Sequence, residues 1–313
     1  MKRFIRSVFI SFLFLFCRFA TSEELLKARS FSLIIRGGYG LAAIGDLNTT
    51  LSSINSMYDG TRESNPDLCS GEIRKVPSQS PDGEVELQWT VGRFTIGIAA
   101  AIPTHYDRSS SLTYVLVGDY GTQTNSYTFK PEIRASAPIK LNLYYSHPLA
   151  PELNLLFHGG LGYYRARMIY DRQWNILTVT GATFVGESLS NVSGHSLGFH
   201  IGAGLEYRLN HRFSLLFDTE WRLAKIRSLK GNMLITSHVY DAEGNLLSSG
   251  SSSGEGSLYH LIEEDSYTGV RSEQLYVFEA PPDIGIGFPS DIRKAFLDLS
   301  GFTFKIGLKI GLF

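Results

Sequence analysis

Residues 127–145, YTFKPEIRASAPIKLNLYY, set Tyr127, Phe129, Pro131, Ile133, Ala135, Ala137, Ile139, Leu141, Leu143 and Tyr145 on one side, and Lys130, Glu132, Arg134 and Lys140 on the other. Successive side chains of a strand point to opposite faces, so a period of two sustained this long reads as an extended strand. Seven more such rows occur, at 31–41, 85–91, 94–102, 153–163, 197–209, 213–223 and 302–312. Each reaches, or nearly reaches, the roughly 9–11 residues that a tilted strand needs to cross a bilayer. No later apolar run has the length of a transmembrane helix, so any membrane crossing must be made by strands.

The connections between rows are of two kinds. Short turns at 92–93, 146–152 and 210–212 alternate with long segments at 43–83, 104–126, 173–194 and 228–294. That alternation describes an up-and-down meander with its short turns at one end. Within the long segments, Asp46 is a plausible N-cap, and Leu47, Leu51, Ile54 and Tyr58 fall at helical spacing, giving a short helix on the rim. Glu243-Gly244-Asn245 marks a turn between two extended runs and predicts a hairpin, and SSGSSSGEGS after it reads as a polar, exposed tip.

Volume decides which row faces the axis. Gly38, Gly40, Gly97, Gly160, Gly162, Gly198, Gly202, Gly204, Gly307 and Gly311 lie on the polar row. The interior of an eight-stranded barrel is just wide enough to be filled by side chains, so slim residues belong inside and rows of Phe, Trp, Tyr and Leu outside. A soluble monomer does not expose an apolar surface all round a cylinder, whereas a closed barrel in lipid must. Trp89, Phe94, Tyr145, Tyr207 and Phe213 at the short-turn end, and Tyr39, Tyr163 and Trp221 toward the loops, are spaced as interfacial aromatic girdles.

The beginning of the chain predicts export. Lys2, Arg3 and Arg6 precede an apolar run and then Ala20-Thr21-Ser22, which reads as a signal peptide over 1–22 ahead of a barrel domain over 23–313. Removing it leaves 25 of the 29 cationic side chains against 30 acidic ones, a net of −5, and nothing that points to nucleic acid. Cys69 would be the sole remaining cysteine, which excludes an intramolecular disulfide.

Inside the cylinder the polar row brings Arg36, Lys130, Arg134, Lys140, Arg208, Arg222, Lys305 and Lys309 to face Glu84, Glu86, Glu132, Glu206, Asp218 and Glu220. Isolated charges in a narrow lumen are costly, so a paired network that closes the bore is expected. His158 and His200 share the lumen side, two ligands without a third, and no metal or cofactor is expected. His195 and Ser196 are adjacent and therefore point to opposite faces, which does not suit a hydrolase pair.

The pattern over nearly the whole mature chain resembles the eight-stranded bacterial outer-membrane proteins of the OmpA, OmpX and OmpW type. The ending KIGLKIGLF resembles the last-strand signal read by the outer-membrane assembly machinery, with Lys305, Gly307, Ile310 and Leu312 at its spacing and Phe313 as terminal aromatic; Ile310 and Leu312 are aliphatic where aromatics are usual. The resemblance implies an all-β, antiparallel transmembrane barrel in the outer membrane of a Gram-negative-type bacterium, with the final strand closing on the first. The partners implied are outer-membrane lipid and lipopolysaccharide, the assembly machinery, and an extracellular ligand met by the loops. A non-enzymatic structural or recognition role is the leading expectation, with an OmpW-like conduit for small or apolar solutes as the alternative and an outer-membrane lipid hydrolase as the more distant one.

Overall fold

The computed structural model describes residues 29–119, 121–264, 271–282 and 291–312; the signal segment 1–22 and Phe313 lie outside them. In chain order the elements are β1 (Arg29–Leu41), β2 (Ile44–Gly45), α1 (Asp46–Ser56), α2 (Asp59–Ser64), β3 (Cys69–Glu72), β4 (Gln79–Val91), β5 (Phe94–Ala101), β6 (Thr104–Asp107), β7 (Ser110–Gly118), β8 (Gly121–Ala150), β9 (Leu153–Leu177) and β10 (Thr183–Arg208). They continue as β11 (Phe213–Leu223), β12 (Lys225–Ile226), β13 (Lys230–Tyr240), β14 (Leu246–Glu264), β15 (Arg271–Phe278), β16 (Asp291–Lys294), β17 (Leu297–Asp298) and β18 (Gly301–Gly311).

Eight of these strands pair antiparallel in a ring. β1 pairs β4, β4 pairs β5, β5 pairs β8, β8 pairs β9, β9 pairs β10, β10 pairs β11, β11 pairs β18, and β18 returns to β1. The eight alternating rows fall on these eight strands, and the closing register sets Leu33 opposite Ile310, Ile35 opposite Leu308 and Tyr39 opposite Phe304. Every neighbouring pair is hydrogen-bonded, which is the condition for a strand to sit in hydrocarbon. The bulky row is the outer one: Phe31, Ile35, Leu87, Ile98, Leu141, Phe199, Phe217 and Ile306 are all exposed, while Arg36, Glu84, Glu86, Lys140 and Lys305 are buried inside.

The barrel has two storeys. On β9, Leu161 and Tyr163 face outward, and the same face then carries exposed Arg165 and Arg167. The inner face changes in the opposite sense, from His158, Gly160 and Gly162 to buried Tyr164, Ala166, Met168 and Tyr170. Below the switch the outside meets lipid and the inside is polar; above it the outside meets water and the inside is an apolar core. β8 makes the same change through a register shift between Ser136 and Ile139. Pro138 lies in that shift and has no N–H to give to a ladder, so a bulge there costs little. Lys140 is consequently lumenal while Phe129, Ile133, Ala135 and Ala137 are buried in the upper core. The expectation that 127–145 keeps one apolar face is corrected accordingly.

Above the membrane the long strands continue as a sheet in the order β3, β7, β8, β9, β10, β13, β14, β15. Stretches 104–126 and 173–194, expected as loops, are therefore largely strand. The β13–β14 hairpin turns at 241–245 as its Gly-Asn turn requires, but Ser249–Ser253, expected as a loose tip, pairs with Leu234–His238. α1 forms over the expected positions and packs beside β15, with Leu47 and Leu51 buried. Its N-cap is Gly45 rather than Asp46, whose carboxylate is taken by Arg293 and the Phe296 N–H. Across the mouth, β2, β12 and β17 form a small three-stranded sheet in which Ile44, Ile226 and Leu297 are each 0% exposed.

Candidate functional site

The lower storey holds a continuous polar network. Lys140 on β8 donates to Glu84 Oε2 on β4 at 2.6 Å and to Glu220 Oε2 on β11 at 2.7 Å. Lys305 on β18 stands 3.4 Å from Glu84 and 3.6 Å from Asp82. Arg36 on β1 pairs with Glu86, donates to Asp218 Oδ2 at 2.7 Å and to Tyr144 Oη at 2.6 Å. Tyr144 in turn donates to Glu86 at 2.8 Å, and Asn142 Nδ2 donates to Glu86 Oε1 at 3.0 Å. His200 on β10 bonds Asn142 Oδ1 at 2.6 Å, and His158 on β9 bonds Asp218 Oδ1 at 2.8 Å. A charge taken out of water is tolerated when it is paired and its remaining lone pairs are met, and here seven strands contribute to that network.

The expected lumen residues separate into groups. Arg36, Lys140, Asp218, Glu220 and Lys305 meet in the central layer. Arg222 lies nearer the mouth, 3.6 Å from Asp82, with its Nε donating to the Leu299 carbonyl at 2.8 Å. Lys309 and Glu206 pair at 3.2 Å toward the short-turn end, where Arg208 is exposed. Lys130, Glu132 and Arg134 do not join: beyond the bulge of β8 they project from the outer face, Arg134 to Glu132 at 2.6 Å and Lys130 near Asp171 at 3.9 Å. Parity counted from Lys140 places them in the lumen, and the shift at Ser136 moves them out. His158 and His200, placed on the lumen side from the sequence, join the network, and so do Tyr144 and Asn142, which lie on the lumen parity of their row. A search by charge alone passes over such neutral donors and acceptors.

The space inside is interrupted. A cavity of ≈ 320 Å³ opens at the short-turn end between Arg93, Pro148 and Arg208 and reaches Arg36, Tyr144 and Asp218. Nearer the mouth a space of ≈ 20 Å³ lies between Asp82, Tyr106, Tyr164 and Arg222. Between the two stand the Lys140 and Lys305 ion pairs. Of the lysine, arginine and acidic groups named, none sits on the lipid face of the lower storey, where Phe94 and Tyr145 pack at 5.4 Å and Phe31 and Trp89 at 6.5 Å between ring centroids.

A closed ring of eight antiparallel strands, bulky and apolar outside and ion-paired inside, defines a transmembrane β-barrel. Residues 35–242, well over half of the chain, match the family described as outer membrane protein beta-barrel domain, and the chain belongs to that family and to the bacterial outer membrane. No curated protein sequence matches it. Among solved structures it is similar to a major outer membrane protein from Thermus thermophilus, at 13% identity over 91% of this chain and 100% of that one, with a TM-score of 0.34. It is also similar to OprG from Pseudomonas aeruginosa, at 11% identity over 91% and 97% with a TM-score of 0.31, and to Ail of Yersinia pestis, at 8% over 90% and 99% with a TM-score of 0.33. Scores this low carry no argument, and the family assignment rests on the match over 35–242 together with the strand ring.

Proposed function

We propose that this protein is a non-conducting barrel that anchors a recognition surface outside the cell. The observation that carries the reading is the presence of two closures, the buried Glu84–Lys140–Glu220 layer in the lumen and the fully buried Ile44, Ile226 and Leu297 cluster of the small sheet that adjoins the ends of β1, β11 and β18. A pathway would need both to open. What remains available to partners is the extracellular sheet from β3 to β15, with its exposed β13–β14 hairpin. No hydrolytic role is assigned, since His195 is exposed on the outer face beside Tyr163 while Ser196 turns inward. Exported chains of this kind need the assembly machinery, and Lys305, Gly307, Ile310, Leu312 and Phe313 are the residues proposed to be read by it.

Planar-bilayer recording tests the reading. The purified barrel should give no stepwise conductance, and a variant that loses Lys140 together with the plug strand 297–298 should give openings. Steady unitary currents from the wild-type protein would favour the conduit, for which the ≈ 320 Å³ cavity at the periplasmic end is the supporting feature.

A further inference from the structure

His158 on β9, His200 on β10 and Glu220 on β11 are 5%, 2% and 3% exposed, and one ligating atom of each lies within 4.8 Å of the others. The register explains the meeting: Gly202 stands opposite both His158 and Glu220, and Gly160 stands opposite His200. Each imidazole occupies the room that a glycine leaves. A Cβ on Gly160 would fall 2.9 Å from His200 Nε2, and one on Gly202 would collide with the His158 ring.

The hydrogen bonds assign the nitrogens. The Asn142 amide nitrogen donates to Glu86, so its oxygen faces His200 and can only accept; Nε2 of His200 is the donor. A carboxylate oxygen likewise accepts from His158 Nε2. In both rings Nδ1 is then the lone-pair nitrogen. Among the described residues His158 Nδ1, His200 Nδ1 and Glu220 Oε1 have no hydrogen-bond partner. Three buried polar atoms of neighbouring side chains are thus unmet, while the other end of each is fixed by Asp218, Asn142 and Lys140 respectively. An imidazole that gives its second N–H to a carboxylate or amide oxygen is the arrangement that orients a metal ligand.

We infer that His158, His200 and Glu220 form a binding site for a divalent transition-metal ion of the zinc class. Two imidazoles and one carboxylate suit a borderline cation rather than calcium or magnesium, which take all-oxygen shells. Ligand atoms bonded at about 2.0–2.1 Å stand roughly 3.3 Å apart, so the three side chains must draw together to hold the ion. Charge favours the ion as well: Arg36, Lys140, Arg222 and Lys305 are four cations against the five acids Asp82, Glu84, Glu86, Asp218 and Glu220. The periplasmic cavity reaches Asp218, which is hydrogen-bonded to His158, and so approaches the site from the short-turn end.

The test uses the full chain, refolded in detergent, stripped by chelator and titrated with Zn²⁺ and with Co²⁺, whose ligand-field bands report a low-coordinate nitrogen and oxygen site. Wild-type protein should bind one ion per chain and show those bands. His158→Gln with His200→Gln should abolish both, while His211→Ala, on the exposed turn, should leave them unchanged. Heat-modifiable migration certifies that each variant is a folded barrel; if the double variant fails it, His200→Gln alone should lower the affinity at least tenfold. Uptake that is equal in wild type and the histidine variants, uptake that disappears in His211→Ala, or no uptake by the wild type overturns the site.

Discussion

Asp46 at the head of α1 receives both terminal nitrogens of Arg293, Nη1 at 2.6 Å and Nη2 at 2.7 Å, joining the first long connection of the barrel to the last. The Phe296 N–H adds a third bond at 2.8 Å. Just before it, Ile44 and Gly45 hold φ of 67° and 78°, and a β-branched residue adopts that region only under constraint. Asp46 supplies part of the constraint. Asp46→Ala leaves Arg293 and the Phe296 N–H without their acceptor, a loss of about 1–3 kcal/mol to the outer storey. Hydrogen exchange should rise over 44–56 and 291–299, with heat-modifiable migration of the barrel unchanged; equal protection in both proteins would show the pair to be incidental.

Lys140 separates two buried carboxylates. Removing it as Lys140→Ala leaves Glu84 and Glu220 facing each other with Lys305 as the nearest cation, and breaking a buried pair on one side costs about 3–5 kcal/mol. Urea unfolding of the refolded barrel in detergent should show that loss. Lys140→Met combined with Glu84→Gln and Glu220→Gln should recover most of it, because no unpaired charge then remains. If the triple variant is as weak as the single one, packing rather than charge sets the cost.

The lower storey was legible because its two rows follow one rule, bulky outside and slim or polar inside, which β18 keeps from end to end and which only isolated residues break, such as Ile34 and Leu216 inside and Thr219 outside. The upper storey follows the reverse rule. Arg165 and Arg167 end the apolar row of β9, so a search for apolar alternation stops at Tyr163, although Tyr164, Ala166, Met168 and Tyr170 carry the same period on the other parity. A change of solvent at a fixed height, rather than a change of secondary structure, broke the pattern. On β8 the bulge at Pro138 hid the change instead, by keeping apolar residues on a constant parity while the faces exchanged. The Asp46–Arg293 pair had no local signal, being 247 residues apart in the chain.

Three tyrosines tie the first long connection to the second. Tyr58 and Tyr114 stack at 4.6 Å, and Tyr114 and Tyr127 at 6.0 Å between centroids. Burial is the largest influence on each, pushing Tyr114 and Tyr127 up to about 12 and Tyr58 in the same direction. An unfolded tyrosine ionises near about 10. The folded form therefore keeps protons that the unfolded form releases, and the stabilisation is complete below about pH 10 and lost as pH rises toward about 12. Spectrophotometric titration of tyrosinate should show a late-ionising class that Tyr114→Phe and Tyr127→Phe each reduce by one tyrosine. Ionisation of all tyrosines in a single step near their ordinary value would contradict this packing.

The outer face of β8 and β9 carries a cationic belt immediately above the aromatic girdle. Arg134 lies opposite Arg167 and Ser136 opposite Arg165, one step beyond Tyr163, and all three guanidinium side chains are exposed. Like charges set directly across a ladder repel, by a few tenths to about 1 kcal/mol per pair, and Glu132, 2.6 Å from Arg134, offsets this for one of the three arginines. Anionic groups at that height remove the repulsion, and the phosphates of lipopolysaccharide are the outer-leaflet groups of that kind, which makes it the proposed partner of this belt. Charge-assisted, bidentate contact to phosphate is the mode that arginine favours. Replacing Arg134, Arg165 and Arg167 together by Gln should leave stability in phosphocholine detergent unchanged or slightly raised. In vesicles that contain lipopolysaccharide, the stabilisation that the wild type gains over phosphatidylcholine vesicles should fall by more than half. Equal gains for both proteins would place the lipopolysaccharide contact elsewhere on the barrel.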